Sequence, residues 1–210
     1  MVKSSRPLGA HVVRAGVHVR SCLTGYWAAT WVAPSPGQHV IKEHAEMAGR
    51  VDPPEIADER TMLSGWLEFH RATVRLKVKG LSDENSRRQL VRSQLTTCAG
   101  LVRHLRYVER WWFQEILEGL VLPAPEPQDQ PDAEFRVSSE QSLGRLLDEY
   151  EAECARSQQI MARHQLDDVS MSPRRRVSCR WILVHMIEET ARHNGHLDIL
   201  RELIDGQTGE

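Results

Sequence analysis

Residues 180–206, RWILVHMIEETARHNGHLDILRELIDG, decide how this chain folds. At about 100° per residue, a helix gathers Ile182, His185, Met186, Glu189, His193, His196, Leu197, Leu200, Leu203 and Ile204 on one arc of roughly 120°. Most of the arc is apolar, so it is expected to face a core. Four of its members are ionisable and stack at successive turns: His185, Glu189, His193 and His196. Ser178 stands where an N-cap belongs, with Val177 and Ile182 spaced as a hydrophobic staple, and Gly206 closes the helix. An acid among histidines on a buried stripe is costly unless something pairs with it. A divalent cation does so well, because carboxylate and neutral imidazole are both zinc-type ligands.

Working outward, three more amphipathic segments share the 3.6-residue period, and no strand-like alternation separates them. The first is expected over about 57–79, with Leu63, Trp66, Leu67, His70 and Val74 on one arc and Gly80 beyond its end. The second runs over about 97–118, opened by Thr97 and closed by Gly119. Its arc holds Cys98, Leu101, Leu105, Val108, Trp111, Trp112 and Ile116, with His104 among them. The third opens at Ser138, which stands in capping-box spacing to Gln141, and continues to about His164. A Pro-rich acidic loop (Pro123, Pro125, Pro127, Pro131) separates the second and third, long enough to cross the end of a bundle. The expected fold is all-α, a four-helix bundle.

In such a bundle His104 from one helix and the i, i+4 pair Glu189/His193 from another can converge on a single ion, with a coordination position left open. The pattern also admits a plainer reading. A histidine on an apolar arc, such as His70 or His185, is commonly a satisfied core residue. Glu189 can equally be salt-bridged to an arginine of another helix. Trp66, Trp111, Trp112 and Trp181 read as core and rim packing, and the run Arg174–Arg176 as a solvated loop. Met186 follows His185, so there is no H-E-x-x-H zinc motif. No E-x-x-H pair recurs on two helices, which disfavours a di-iron centre, and no Gly-rich nucleotide loop is present.

The chain has 210 residues and a net charge of −2. Residues 1–46 carry +3, from Lys3, Arg6, Arg14, Arg20 and Lys42 against Glu43 and Glu46, so the remainder carries −5. A mildly acidic main domain disfavours nucleic acid, whose binding is largely phosphate neutralisation. Residues 1–46 lack a period and are broken by Pro34-Ser35-Pro36-Gly37. They are expected to be a flexible extension, or a start assigned upstream of the true one, with the folded domain spanning 47–210. The four cysteines form no C-x-x-C pair and read as reduced. No apolar run is long enough for a membrane span, and the expected compartment is the cytoplasm.

The stretches 58–79 (DERTMLSGWLEFHRATVRLKVK), 100–113 (GLVRHLRYVERWWF) and 180–206 resemble the DinB-like superfamily, and within it the branch of mycothiol S-transferases. The resemblance begins at about Pro53 and leaves residues 1–46 outside. It implies a four-helix bundle, often a homodimer, with a divalent metal held by His104, Glu189 and His193. Many members carry H-x-x-x-H-x-G on the last helix. Here the motif is E-x-x-x-H-N-G, which is similar to the mycothiol-dependent isomerase version. His196 stands where other branches carry Gln and is an alternative ligand or a supporting residue, as are His185 and His70. The implied metal is zinc, with nickel or another divalent ion as alternatives, and mycothiol is the implied co-substrate. The implied activity is transfer of a small-molecule thiol to an electrophile, as in detoxification. Arginine outnumbers lysine by 23 to 4, compatible with a GC-rich, mycothiol-producing host. The alternative is a non-enzymatic metal-binding or stress-associated bundle acting through a dimer interface.

Overall fold

In a computed structural model the described residues are 50–123 and 132–208. The extension expected over 1–46 lies outside them, as does most of the Pro-rich loop. Four long helical elements form the bundle: α1 (Glu59–Val78), α3 (Cys98–Arg110) continued by a π-helix (Trp111–Leu117), α4 (Leu143–Met161) and α5 (Cys179–Asp205). A short α2 (Asp83–Ser86) follows α1, and a 3-10 turn (Ala133–Phe135) precedes α4. Neither short element was expected. Among the described residues there is no strand, only an isolated bridge between Val169 and Ser178.

The helix ends follow local chemistry. Asp58, Thr97 and Ser178 each accept a bond from the backbone N–H three residues on, satisfying a donor that the first turn leaves open. Gly206 takes φ 78°, the left-handed cap expected of it. The third long helix differs from expectation. Its N-cap is Ser142, whose hydroxyl accepts from Arg145 N, and the Ser138/Gln141 pair instead closes a turn ahead of it. This helix also ends at Met161, short of His164.

Contacts between the helices give their directions. Arg180 pairs with Glu59, Asn194 donates to the His70 carbonyl and Arg201 donates to the Lys77 carbonyl, so α1 and α5 run parallel. Arg103 reaches Gln141, Arg106 reaches Glu149 and Gln114 reaches Glu153, so α3 and α4 also run parallel. The pairs oppose each other, since Arg75 meets Glu151 while Arg60 meets the Met161 carbonyl. Because α3 and α4 are parallel, the end of the one and the start of the other lie at opposite ends of the bundle, with residues 124–131 between them outside the described residues. The core is Leu67, Val74, Leu101, Leu105, Phe113, Ile116, Leu146, Tyr150, Ile182, Met186 and Leu197 with their neighbours.

Two expected arcs need correction. Trp66 is 42% exposed and lies at the rim, whereas Arg71 is wholly buried in its place, bonded to buried Glu109 of α3 at 2.8 and 2.5 Å. On α5, His196 and Leu203 are exposed, and Leu183, Thr190, Asn194 and Arg201 are buried instead. The inward face is rotated because α5 packs mainly along α1 and less along α3.

Candidate metal centre

The antiparallel pair α3/α5 brings together three residues distant in sequence. Glu189 Oε1 stands 3.0 Å from His104 Nε2 and 3.2 Å from His193 Nε2. An ionised carboxylate can only accept, so in this arrangement both imidazoles present Nε2–H to the same oxygen. Those two hydrogen bonds outweigh burial and hold the Glu189 carboxyl well below the usual carboxylate range. Among the described residues the ion pairs of Glu189 are to these two histidines and not to an arginine. The side chains of His104, Glu189 and His193 are 12%, 17% and 10% exposed, so the cluster is sheltered without being sealed.

One ligand atom from each of the three residues can be chosen so that all lie within 4.8 Å of one another. Zinc-type bonds of about 2.0–2.1 Å arranged tetrahedrally set ligand atoms roughly 3.3–3.4 Å apart. Two of the three separations, 3.0 and 3.2 Å, need only a slight outward relaxation, and the two imidazole nitrogens lie within 4.8 Å of each other. Two imidazoles and a carboxylate also have the chemistry of a borderline-soft divalent ion. The residues fit.

The other histidines fall elsewhere. His196 lies behind His193, Nδ1 to Nδ1 at 3.3 Å, on the edge of the ring turned away from Glu189. Partial burial, with His193 and Arg192 nearby, holds His196 below the ordinary imidazole value. His185 packs one turn further along, against Trp112 and Trp181 at 4.7 and 5.1 Å. The His70 ring stacks on Trp66, 5.9 Å between centroids, and its carbonyl receives the Asn194 amide. Neither His185 nor His70 joins the three-residue cluster.

Sequence reasoning missed what covers the site. The crossover between α3 and α4 places Phe135 flat on the His104 ring, 4.1 Å between centroids at 11°, and Glu134 Oε1 stands 3.9 Å from His104 Nδ1. No periodicity marks either residue, because a crossover has no helical face. The arginine run is also more than a solvated loop. Arg174 bonds Glu115 at 3.0 Å, and the Arg175 guanidinium lies 5.1 Å from the ring centroids of both Trp112 and Trp181. A cavity of about 440 Å³ opens elsewhere, between the end of α1 and the start of α4, and contains none of these histidines.

A helical bundle with two histidines and a glutamate gathered on facing helices defines a class of candidate metalloprotein. Residues 62–206 match the family model described as Mycothiol-S-transferase, and the chain belongs to that family. The match spans all four long helices except the first residues of α1. No curated protein gives a match to the chain. Among the described residues no helix is long and apolar enough to cross a membrane.

Proposed function

We propose that this chain is a metal-dependent S-transferase of the cytoplasm that joins a low-molecular-weight thiol, of the mycothiol type, to an electrophilic small molecule. The observation that carries the reading is the convergence of His104, Glu189 and His193 within the family match. His104 and His193 would hold the ion through Nε2 and Glu189 through its carboxylate, with zinc or nickel as the fitting ions. When bound there, a divalent cation with a free coordination position favours the thiolate of an incoming thiol, the form that acts as nucleophile.

The chain's own residues prepare that site. Glu189 holds both imidazoles in place through one oxygen, so the donors are arranged beforehand. Phe135 covers one face of His104 and keeps water from it. His196 can accept the Nδ1 proton of His193, which leaves the Nε2 lone pair free to ligate. The partial exposure of all three donors supports an open site over the closed, dry site of a structural metal.

None of the three described cysteines is suited to act as the nucleophile, because burial raises each thiol, Cys98 to about 11 with Cys154 and Cys179 also raised, and this favours a thiol supplied from outside. A screen of purified protein tests the proposal, using mycothiol, cysteine and glutathione with monobromobimane as a broadly reactive electrophile, with and without zinc or nickel. Metal-stimulated conjugation of one thiol is expected. Stoichiometric metal binding with no turnover of any thiol would refute the enzyme and favour a non-enzymatic bundle acting through a dimer interface.

A further inference from the structure

Each imidazole of the candidate site has a second nitrogen that must be accounted for. When Nε2 gives its lone pair to a cation, the ring proton resides on Nδ1, and a buried N–H needs an acceptor. His193 has one in His196. His104 Nδ1 is buried and makes no hydrogen bond to any described residue. The group standing nearby is the Glu134 carboxylate, 3.9 Å away, on a side chain that is 26% exposed.

That approach is built into the fold. Asp132 takes φ 60° and starts the 3-10 turn, closed by Phe135 N to Asp132 O and Arg136 N to Ala133 O, both 3.1 Å. Ala133 is buried beneath it, and Phe135 stacks on the same imidazole that Glu134 faces. The turn also sits tightly on α3, since a Cβ added at Gly100 would meet the Phe135 carbonyl oxygen at 2.8 Å. The crossover is therefore seated on His104 by a ring, a buried alanine and a glycine. A movement of about 1 Å brings the carboxylate to hydrogen-bond distance from Nδ1.

We infer that Glu134 is a positioning residue for the metal site: it accepts the Nδ1–H of His104, fixes the tautomer that frees Nε2, and raises the basicity of that nitrogen. The inference rests on the metal reading proposed above. Glu134 touches neither thiol nor electrophile and acts only through His104. Supporting carboxylates of this kind are worth roughly 10–100-fold in metal affinity.

The test is the zinc affinity of the full-length apo chain, measured by competition with a chromophoric chelator, beside the melting temperature of the apo protein. Glu134→Leu keeps apolar bulk and removes the acceptor, whereas Glu134→Gln keeps an acceptor oxygen at the same place. Expected are wild-type binding of one zinc, a roughly 10–100-fold loss in Glu134→Leu, and recovery of most of it in Glu134→Gln, with apo melting unchanged in both. Affinity in Glu134→Leu within about twofold of wild type overturns the inference while leaving the metal site standing. Equal losses in the Leu and Gln variants also overturn it, since packing rather than an acceptor would then be responsible. A wild-type chain that binds no zinc removes the metal reading itself, and the inference with it.

Discussion

Glu109→Leu is the sharpest perturbation of the scaffold that carries the site. Glu109 lies on α3, five residues beyond His104, and with Arg71 it locks α3 against α1 through two hydrogen bonds of 2.8 and 2.5 Å. Both side chains are 0% exposed. Burial acts against the Arg71 charge, but the Glu109 carboxylate overrides it and holds the guanidinium well above its ordinary value, so the arginine stays charged. Removing Glu109 leaves that cation, among the described residues, with Glu68 as its remaining carboxylate, on a side chain that is 40% exposed. Breaking a buried pair from one side costs about 3–5 kcal/mol. In a domain of this size, about 2–4 °C of melting temperature goes with each kcal/mol, so a fall of roughly 6–20 °C is expected. Urea and thermal unfolding of the full chain in chelator-containing buffer, followed by two probes, measures it. The double variant Arg71→Met/Glu109→Leu removes both charges and should recover most of the loss. A Glu109→Leu chain within about 1 kcal/mol of wild type would refute the reasoning, because the pair would then not be a dry, obligatory one.

Three further outcomes follow from particular contacts. Gly100→Ala should lift the crossover from α3, costing about 1–3 kcal/mol as overpacking does and weakening zinc binding with every ligand intact; unfolding and chelator competition measure the two effects. Cys98, Cys154 and Cys179 should resist iodoacetamide in the native chain at neutral pH, because burial raises all three thiols, and should react once urea unfolds it; peptide mass spectrometry reads both. A chain beginning at Met47 should melt within a few degrees of the full chain, about what a change below 1–2 kcal/mol produces, if residues 1–46 bury little surface.

Most of the bundle was legible because burial imposes a period on the sequence. Thr97, Ser178 and Gly206 end their helices as their chemistry demands. The ionisable stripe of α5 stood out because Glu189 and His193 occupy positions that apolar residues would otherwise fill. What escaped was information held in three dimensions. Arg71 reads as a surface residue until Glu109 arrives from another helix to bury it. Trp111–Leu117 reads as ordinary α-helix, since a π-helix alters the bonding without altering apolar composition. Ser138 carries the stronger capping-box signal, with Gln141 three residues on where Ser142 has Arg145, yet Ser142 caps the helix. Glu134 and Phe135 lie on a crossover, and their place over His104 is a relation that no local window contains.

The central claim is that His104, Glu189 and His193 hold one divalent ion. Elemental analysis of the full chain after zinc loading and removal of excess metal tests it most directly, with His104→Ala, Glu189→Ala and His193→Ala treated in parallel and His185→Ala as the off-site control. The account predicts one zinc per wild-type chain, the same in His185→Ala, and well below one in each of the three ligand variants. Retention of a full equivalent by all three would contradict it, and loss of the metal in His196→Ala but not in Glu189→Ala would move the site to the other side of His193.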